Sequence, residues 1–251
     1  MSRKLTLFVM LFLFASGWAK AQNWGGGIDQ ERFNWGFSFQ YISSELKLWK
    51  NKDWRAPYSD PTLPPPGYVT DQLASISSPP SVGFGIGFVV NSQLTSNLDA
   101  RFTPTLVFND RVIQYNYVQP AVYNVGTSMI EKKVQATVID LPIGLKIKSD
   151  RLMNFRAYMI GGLKYSMDLA SGKKTNDEAA APIDKLIKNK KSFLSYEAGI
   201  GFDIYFEYFK MSPEFKLSYS FKDIMKHESN PFMDPIQKAK LRHFTFSLFF
   251  E

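Results

Sequence analysis

The side chains that carry most enzyme chemistry are scarce in this chain. It has no cysteine and only two histidines, His227 and His243, which rules out a disulfide framework and a thiolate nucleophile. The two imidazoles stand far apart in sequence, so no zinc or iron centre and no cofactor is expected. Hydrolytic or acyl-transfer chemistry needs a nucleophile, a base and an orienting group within hydrogen-bond reach. His243 has Ser218 and Ser247 as candidate nucleophiles, and His227 stands beside Glu228. None of these spacings is diagnostic, so no catalytic residue is assigned and the chain reads as a non-enzyme. Gly83, Gly85 and Gly87 form a G-x-G-x-G run. A phosphate-cradling loop would have to open a helix, and this run leads into a strand and a turn.

The larger chemically capable set is charged. Asp99, Arg101, Asp140, Lys146, Arg156, Lys164, Asp168, Glu197, Asp203, Lys210, Glu214, Lys216 and Arg242 are read as one inward-facing set. Acids and bases alternate among them, so they can pair with one another, and unpaired charges in an interior would be costly. The functional alternative is a charged permeation path, but a barrel of eight strands has little bore.

The elements that must position these residues show a period of two. Asn34 to Tyr41 sets Trp35, Phe37, Phe39 and Tyr41 against Asn34, Gly36, Ser38 and Gln40. Similar alternation runs through Ser81 to Asn91, Leu98 to Phe108, Val134 to Lys148, Phe155 to Leu169, Leu194 to Phe206 and Phe209 to Phe221. The final run places Phe244, Phe246, Leu248 and Phe250 at every second position. Period two excludes amphipathic helices. Several runs exceed the usual soluble strand of about 5–6 residues and match the roughly 9–11 needed to cross a bilayer at a tilt. The reading is an all-β, eight-stranded, antiparallel, transmembrane up-and-down β-barrel, with the alternate aromatics facing outer-membrane lipid.

Composition agrees with an exported barrel. The chain has 251 residues with 16 % aromatics, yet its mean hydropathy is −0.19. The opening "MSRKLTLFVMLFLFASGWAKAQ" carries Arg3 and Lys4, an apolar run from Leu5 to Phe14, and Ala19-Lys20-Ala21. That pattern predicts a cleaved signal peptide over residues 1–21, a periplasmic N-terminal segment over 22–32, and the barrel over 33–251. Cleavage would lower the formal charge from +7 to +4 by removing Arg3, Lys4 and Lys20. So mild a balance gives no reason to expect a nucleic-acid partner.

The connections alternate between short and long. Short polar turns are predicted near Asn91–Asn97, Ser149–Asn154 and Glu207–Tyr208. Long segments lie at Trp49–Pro80, about Gln119–Met129, Ala170–Lys191 and Lys222–Ala239. Short periplasmic turns and long external loops are the outer-membrane arrangement, which points to the outer membrane of a Gram-negative cell. The Pro-rich first loop presents Trp49, Trp54, Tyr58 and Tyr68, which read either as anchors for a partner or as part of a stiff cap. Gly172 to Lys191 is charged, with a short helix predicted from Pro182 to Ile187.

The stretches "DARFTPTLVFNDRVIQY", "IDLPIGLKIKS", "NFRAYMIGGLKYSMDLA", "YEAGIGFDIYFEYFKMSPEFKLSYSF" and "LRHFTFSLFFE" resemble, in order, the PorT family of outer-membrane barrels. The resemblance runs from about Phe33 to Glu251. It implies an eight-stranded barrel belonging to the type IX secretion system, needed for export of proteins with a C-terminal sorting domain and for gliding motility in some relatives. It implies other secretion-machinery proteins as partners, and neither catalytic residues nor a cofactor. The alternative is a stand-alone small barrel concerned with adhesion, lipid binding or narrow-channel transport.

Overall fold

The computed structural model describes residues 31–60, 64, 67–119, 128–134, 136–169 and 181–251. The predicted signal peptide and most of the predicted segment 22–32 lie outside the described residues, as does 170–180. Fourteen strands occur among the described residues: β1 (Phe33–Lys50), β2 (Leu73–Ser77), β3 (Ser81–Thr95), β4 (Leu98–Phe102), β5 (Thr105–Phe108), β6 (Arg111–Tyr117), β7 (Met129–Val134), β8 (Thr137–Lys148), β9 (Phe155–Asp168), β10 (Lys188–Asn189), β11 (Ser192–Tyr205), β12 (Lys210–Ser220), β13 (Met225–Lys226) and β14 (Ile236–Phe250).

Nine of them form one sheet in the order β1-β14-β12-β11-β9-β8-β4-β3-β5, and β1 also pairs with β3, which closes the ring. β4 and β5 both lie between β3 and β8 and act as one barrel strand. The barrel therefore has eight antiparallel strands. The break between β4 and β5 falls at Pro104, which has no N–H to give the ladder. Its carbonyl still accepts from Phe88 N at 3.0 Å, and Thr103 N donates to the Pro142 carbonyl at 3.2 Å.

Alternation sorts the side chains by solvent. Trp35, Phe37, Phe39, Tyr41, Phe84, Ile86, Ile143, Ile147, Met159, Ile200, Phe215, Leu217 and Phe244 stand on the outer face, while Asn91, Arg101, Lys146, Lys164, Asp203 and Glu214 are buried inside. An outer wall of this kind is stable only against hydrocarbon, because each large apolar side chain gains about 1.5–3 kcal/mol on leaving water. Cross-strand rings reinforce it. Phe37 and Phe250 stack at 5.2 Å between centroids, and Phe84 and Phe108 at 5.1 Å.

The short connections all lie at one end: Ser96–Asn97, residues 149–154 and residues 206–209. At the opposite end the pattern inverts. Ile42, Leu46, Ala239 and Leu241 point inward and are buried, while Glu45, Lys47, Lys240 and Arg242 point outward. β6 and β7 prolong the β5 and β8 walls beyond the belt and join β2 in a separate three-stranded sheet. Their inner faces meet the 221–235 connection in a hydrophobic core that includes Ile113, Tyr115, Ile130, Phe193, Ile224, Phe232 and Met233. Oil-facing below and water-facing above, the same wall thus carries a membrane barrel crowned by a soluble-type core. The helix predicted from Pro182 to Ile187 is a single 3-10 turn, Pro182–Asp184. Lys185 follows it in an extended conformation, and the turn buries no residue to hold a longer helix.

Candidate functional site: the charged lumen and its cap

The inward parity of each barrel strand places the charged residues in tiers along the bore. Next to the short turns, Lys148 Nζ lies 2.6 Å from Asp99 Oδ1, and Arg156 Nε donates to the Ser149 carbonyl at 2.8 Å. Further in, Arg101 donates through Nη1 to Glu214 Oε2 at 2.7 Å and through Nε to Asn91 Oδ1 at 2.7 Å. Lys146 Nζ reaches both oxygens of Asp203 at 2.7 Å, and Ser212 Oγ donates to Asp203 Oδ1 at 2.6 Å. Tyr158 binds the same group: its hydroxyl donates to Glu214 Oε2 at 2.9 Å, and Lys146 Nζ lies 3.8 Å from its ring centroid. Lys216 bridges Glu214 at 3.2 Å and Glu197 at 3.3 Å.

The tier below the cap holds the residues with hydrolytic potential. Lys164 Nζ is 3.2 Å from Asp140 Oδ2, 3.0 Å from Ser218 Oγ and 3.2 Å from His243 Nδ1. A lysine ammonium can only donate, so Nδ1 of His243 accepts and its proton resides on Nε2. Neither Ser218 nor Ser247 is hydrogen-bonded to His243, and Ser247 Oγ has no hydrogen-bond partner among the described residues. Ser166 Oγ donates to Asp140 at 2.6 Å, and Asn189 Nδ2 to Asp168 at 3.2 Å. Among the described residues no cluster of three or more His, Cys, Asp or Glu could hold a metal ion.

The structure corrects one member of the predicted lumen set. Arg242 faces outward, 40 % exposed, and pairs with Glu45 on β1. It shares the parity of Phe244, Phe246, Leu248 and Phe250, so period two itself puts it on the wall. Three lumen ions stand outside the predicted set. Glu251 is buried between Arg101 at 3.3 Å and Lys210 at 2.5 Å. Lys148 follows Lys146 at the same parity, and Arg111 continues the parity of Arg101 past the Pro104 break. Extending two of the alternations by one or two steps finds Glu251 and Arg111, and Lys148 already closes the polar face of the Val134–Lys148 run.

The loop aromatics do not form one patch. Trp49 lies on the outer wall of β1, with Lys238 Nζ 5.9 Å from its ring. Trp54 packs against the cap core between Lys50 at 3.9 Å and Arg55 at 4.9 Å. Tyr58 lines a cleft of about 810 Å³ between the β1–β2 connection and the β12–β14 connection. Tyr68 is half exposed and bridges to Ser59.

Within the cap, Tyr115 donates its hydroxyl to the Phe232 carbonyl at 2.8 Å, and the two rings lie 5.2 Å apart. Burial raises the Tyr115 phenol well above its ordinary range, so it remains a donor. Lys132 Nζ stands 4.2 Å from the Phe232 ring and donates to the Ile183 carbonyl at 2.8 Å. Burial lowers its ammonium pKa, and Asp184 opposes that shift. Lumen and cap together hold paired charges across the bore and an apolar core at its mouth.

No curated protein matches the sequence. Among solved structures, the chain is similar to the outer membrane protein OprG from Pseudomonas aeruginosa, at 13 % identity and TM-score 0.42, covering 87 % of this chain and 92 % of that one. It is also similar to Neisserial surface protein A, NspA, at 7 % identity and TM-score 0.38, covering 87 % and 97 %. A third is Ail, the attachment invasion locus protein of Yersinia pestis, solved with the heparin analogue sucrose octasulfate, at 10 % identity and TM-score 0.37, covering 88 % and 99 %. The family model for the outer membrane protein beta-barrel domain matches residues 21–226, well over half of the chain. With its closed eight-stranded ring and apolar outer wall, the chain belongs to that family of outer-membrane β-barrels.

Proposed function

We propose that this outer-membrane barrel is a non-enzymatic component of the type IX secretion machinery that works through protein contacts. The ordered resemblance to the PorT family supports the pathway. One structural observation carries the mode of action: the bore is crossed by the buried Arg101–Glu214 pair and its mouth is filled by the Tyr115–Phe232 core. With charged pairs across the bore and an apolar core at its mouth among the described residues, its work falls to its outer surfaces. Those are the cap with its cleft, the periplasmic turns and the lipid-facing wall.

Deleting the gene and assaying secretion of sorting-domain cargo tests the pathway. Loss of secretion, and of gliding where the cell glides, is expected; unchanged export and motility would move the reading to a stand-alone barrel. Affinity capture of the tagged protein from gently solubilised membranes should bring down other secretion proteins. In planar bilayers the purified barrel should show no steady current, and a sustained conductance would contradict the closed bore.

A further inference from the structure

The charge distribution on the outer wall points to a second binding surface. On β1 the outward residues run Trp35, Phe37, Phe39, Tyr41, Ser43, Glu45, Lys47 and Trp49; on β14 they run Phe250, Leu248, Phe246, Phe244, Arg242, Lys240 and Lys238. The register joins these two rows directly, with Glu45 opposite Arg242, Lys47 opposite Lys240 and Trp49 opposite Lys238. On β14 the change from aromatic to cationic is abrupt and follows Phe244, while on β1 Tyr41 is followed by Ser43, Glu45 and Lys47.

The geometry points to a site for the phosphates of an outer-leaflet glycolipid, formed on the wall by Arg242, Lys240, Lys47 and Lys238. Position is the first argument. An outward arginine or lysine is tolerated at the edge of the hydrocarbon and strongly disfavoured at its centre. With strands rising about 3.4 Å per residue at a tilt near 40°, Arg242 and Lys240 stand roughly 5 and 10 Å beyond Phe244. That is the headgroup layer, on the long-loop side, which in outer-membrane barrels faces the cell exterior.

Charge is the second. The patch contains one acid, Glu45, bound by both Lys47 at 2.6 Å and Arg242. Among the described residues Lys240 has no ion pair, and Lys238 meets only the Trp49 ring. Four cations against one acid leave an excess of three positive charges. A guanidinium beside ammonium groups is the set that takes phosphate oxygens, the arginine through paired N–H bonds and the lysines as point charges. Clusters of this kind next to an apolar membrane surface are how proteins hold anionic lipid headgroups.

Continuity with the belt is the third argument. The phosphate of a membrane glycolipid arrives with acyl chains, and Tyr41, Phe39 and Phe244 form the apolar wall directly below the cations. A soluble phosphate could use only the upper half of this surface.

The test compares full-length protein in nanodiscs containing diphosphoryl lipid A, dephosphorylated lipid A or zwitterionic phospholipid alone, with bound lipid read by native mass spectrometry. We expect diphosphoryl lipid A to be retained at least tenfold more than its dephosphorylated form. The Lys238→Gln/Lys240→Gln/Arg242→Gln variant should lose that preference while keeping heat-modifiable migration. Equal retention of the two lipid A forms by the wild type would overturn the site, whether or not the variant folds. So would a folded variant that retains diphosphoryl lipid A normally, or displacement of the lipid by millimolar inorganic phosphate.

Discussion

Nη1 of Arg101 lies 2.7 Å from Oε2 of Glu214 although the two residues are 113 positions apart and stand on β4 and β12. Going round the ring in either direction, four steps separate those strands. The pair therefore spans the full diameter of the bore. Both side chains are almost completely buried, at 1 % and 0 % exposure. Tyr158 and Lys216 also approach Glu214, and Asn91 and Glu251 also meet Arg101.

Breaking this strut should be costly. Glu214→Ala leaves the Arg101 guanidinium buried with one carboxylate fewer, and the expected loss is about 3–5 kcal/mol. The double variant Arg101→Leu/Glu214→Leu should lose much less, because removing both charges also removes their desolvation cost. Urea-induced loss of the heat-modifiable form in detergent measures both. Equal destabilisation by the single and double variants would show that packing, not charge, holds the strut.

Gly201 offers a steric test of the same tier. A Cβ at this inward position would overlap the Tyr158 ring, whose hydroxyl serves Glu214. Gly201→Ala should destabilise the barrel by about 1–3 kcal/mol through overpacking. Adding Tyr158→Ala should cost less than the sum of the two single changes, because the clash disappears with the ring. Strict additivity in the same urea titration would refute the contact.

The cap should loosen independently of the barrel. Phe232→Ala empties the centre of the mouth core and removes the ring under Lys132. A loss of about 3–5 kcal/mol is expected there. Limited proteolysis should cut the 221–235 connection much faster in the variant, with heat-modifiable migration of the barrel unchanged. Resistance equal to the wild type would mean that the core does not hold the cap.

Acid should act on the cap through Asp223. Burial pushes its carboxyl pKa up, but hydrogen bonds from Ala239 N, Lys190 Nζ, Met225 N and His227 outweigh burial and leave it below its ordinary value. The folded cap thus binds this proton less readily than the unfolded chain does. Its contribution to stability is present above the unfolded value, about 3.9 for aspartate, and is lost as pH falls through the lower folded value. Hydrogen–deuterium protection of the Met225 and Ala239 amides should fall below about pH 4, and Asp223→Asn should flatten that dependence. A wild-type profile as flat as the variant's would remove Asp223 from the account.

Alternation alone fixed the architecture. A polar–aromatic period of two from Asn34 to Tyr41, repeated down the chain, leaves a closed sheet in lipid as its stable outcome, and parity then assigns Asp99, Lys146 and Glu197 to the interior. The same rule places Arg242 outside with Phe244. What the sequence by itself could not decide was which acid meets which base. Parity says which way a side chain points, but the height at which Arg101 meets Glu214 depends on strand stagger and ring closure, which no local pattern records. The cap was hidden for a related reason. Ile187, Ile224 and Phe232 sit in segments that look irregular one by one, and Tyr115 on a short strand beyond the predicted barrel run. They become a core only because the barrel rim brings four connections to one place, where apolar surface is worth burying once the wall has risen out of the membrane.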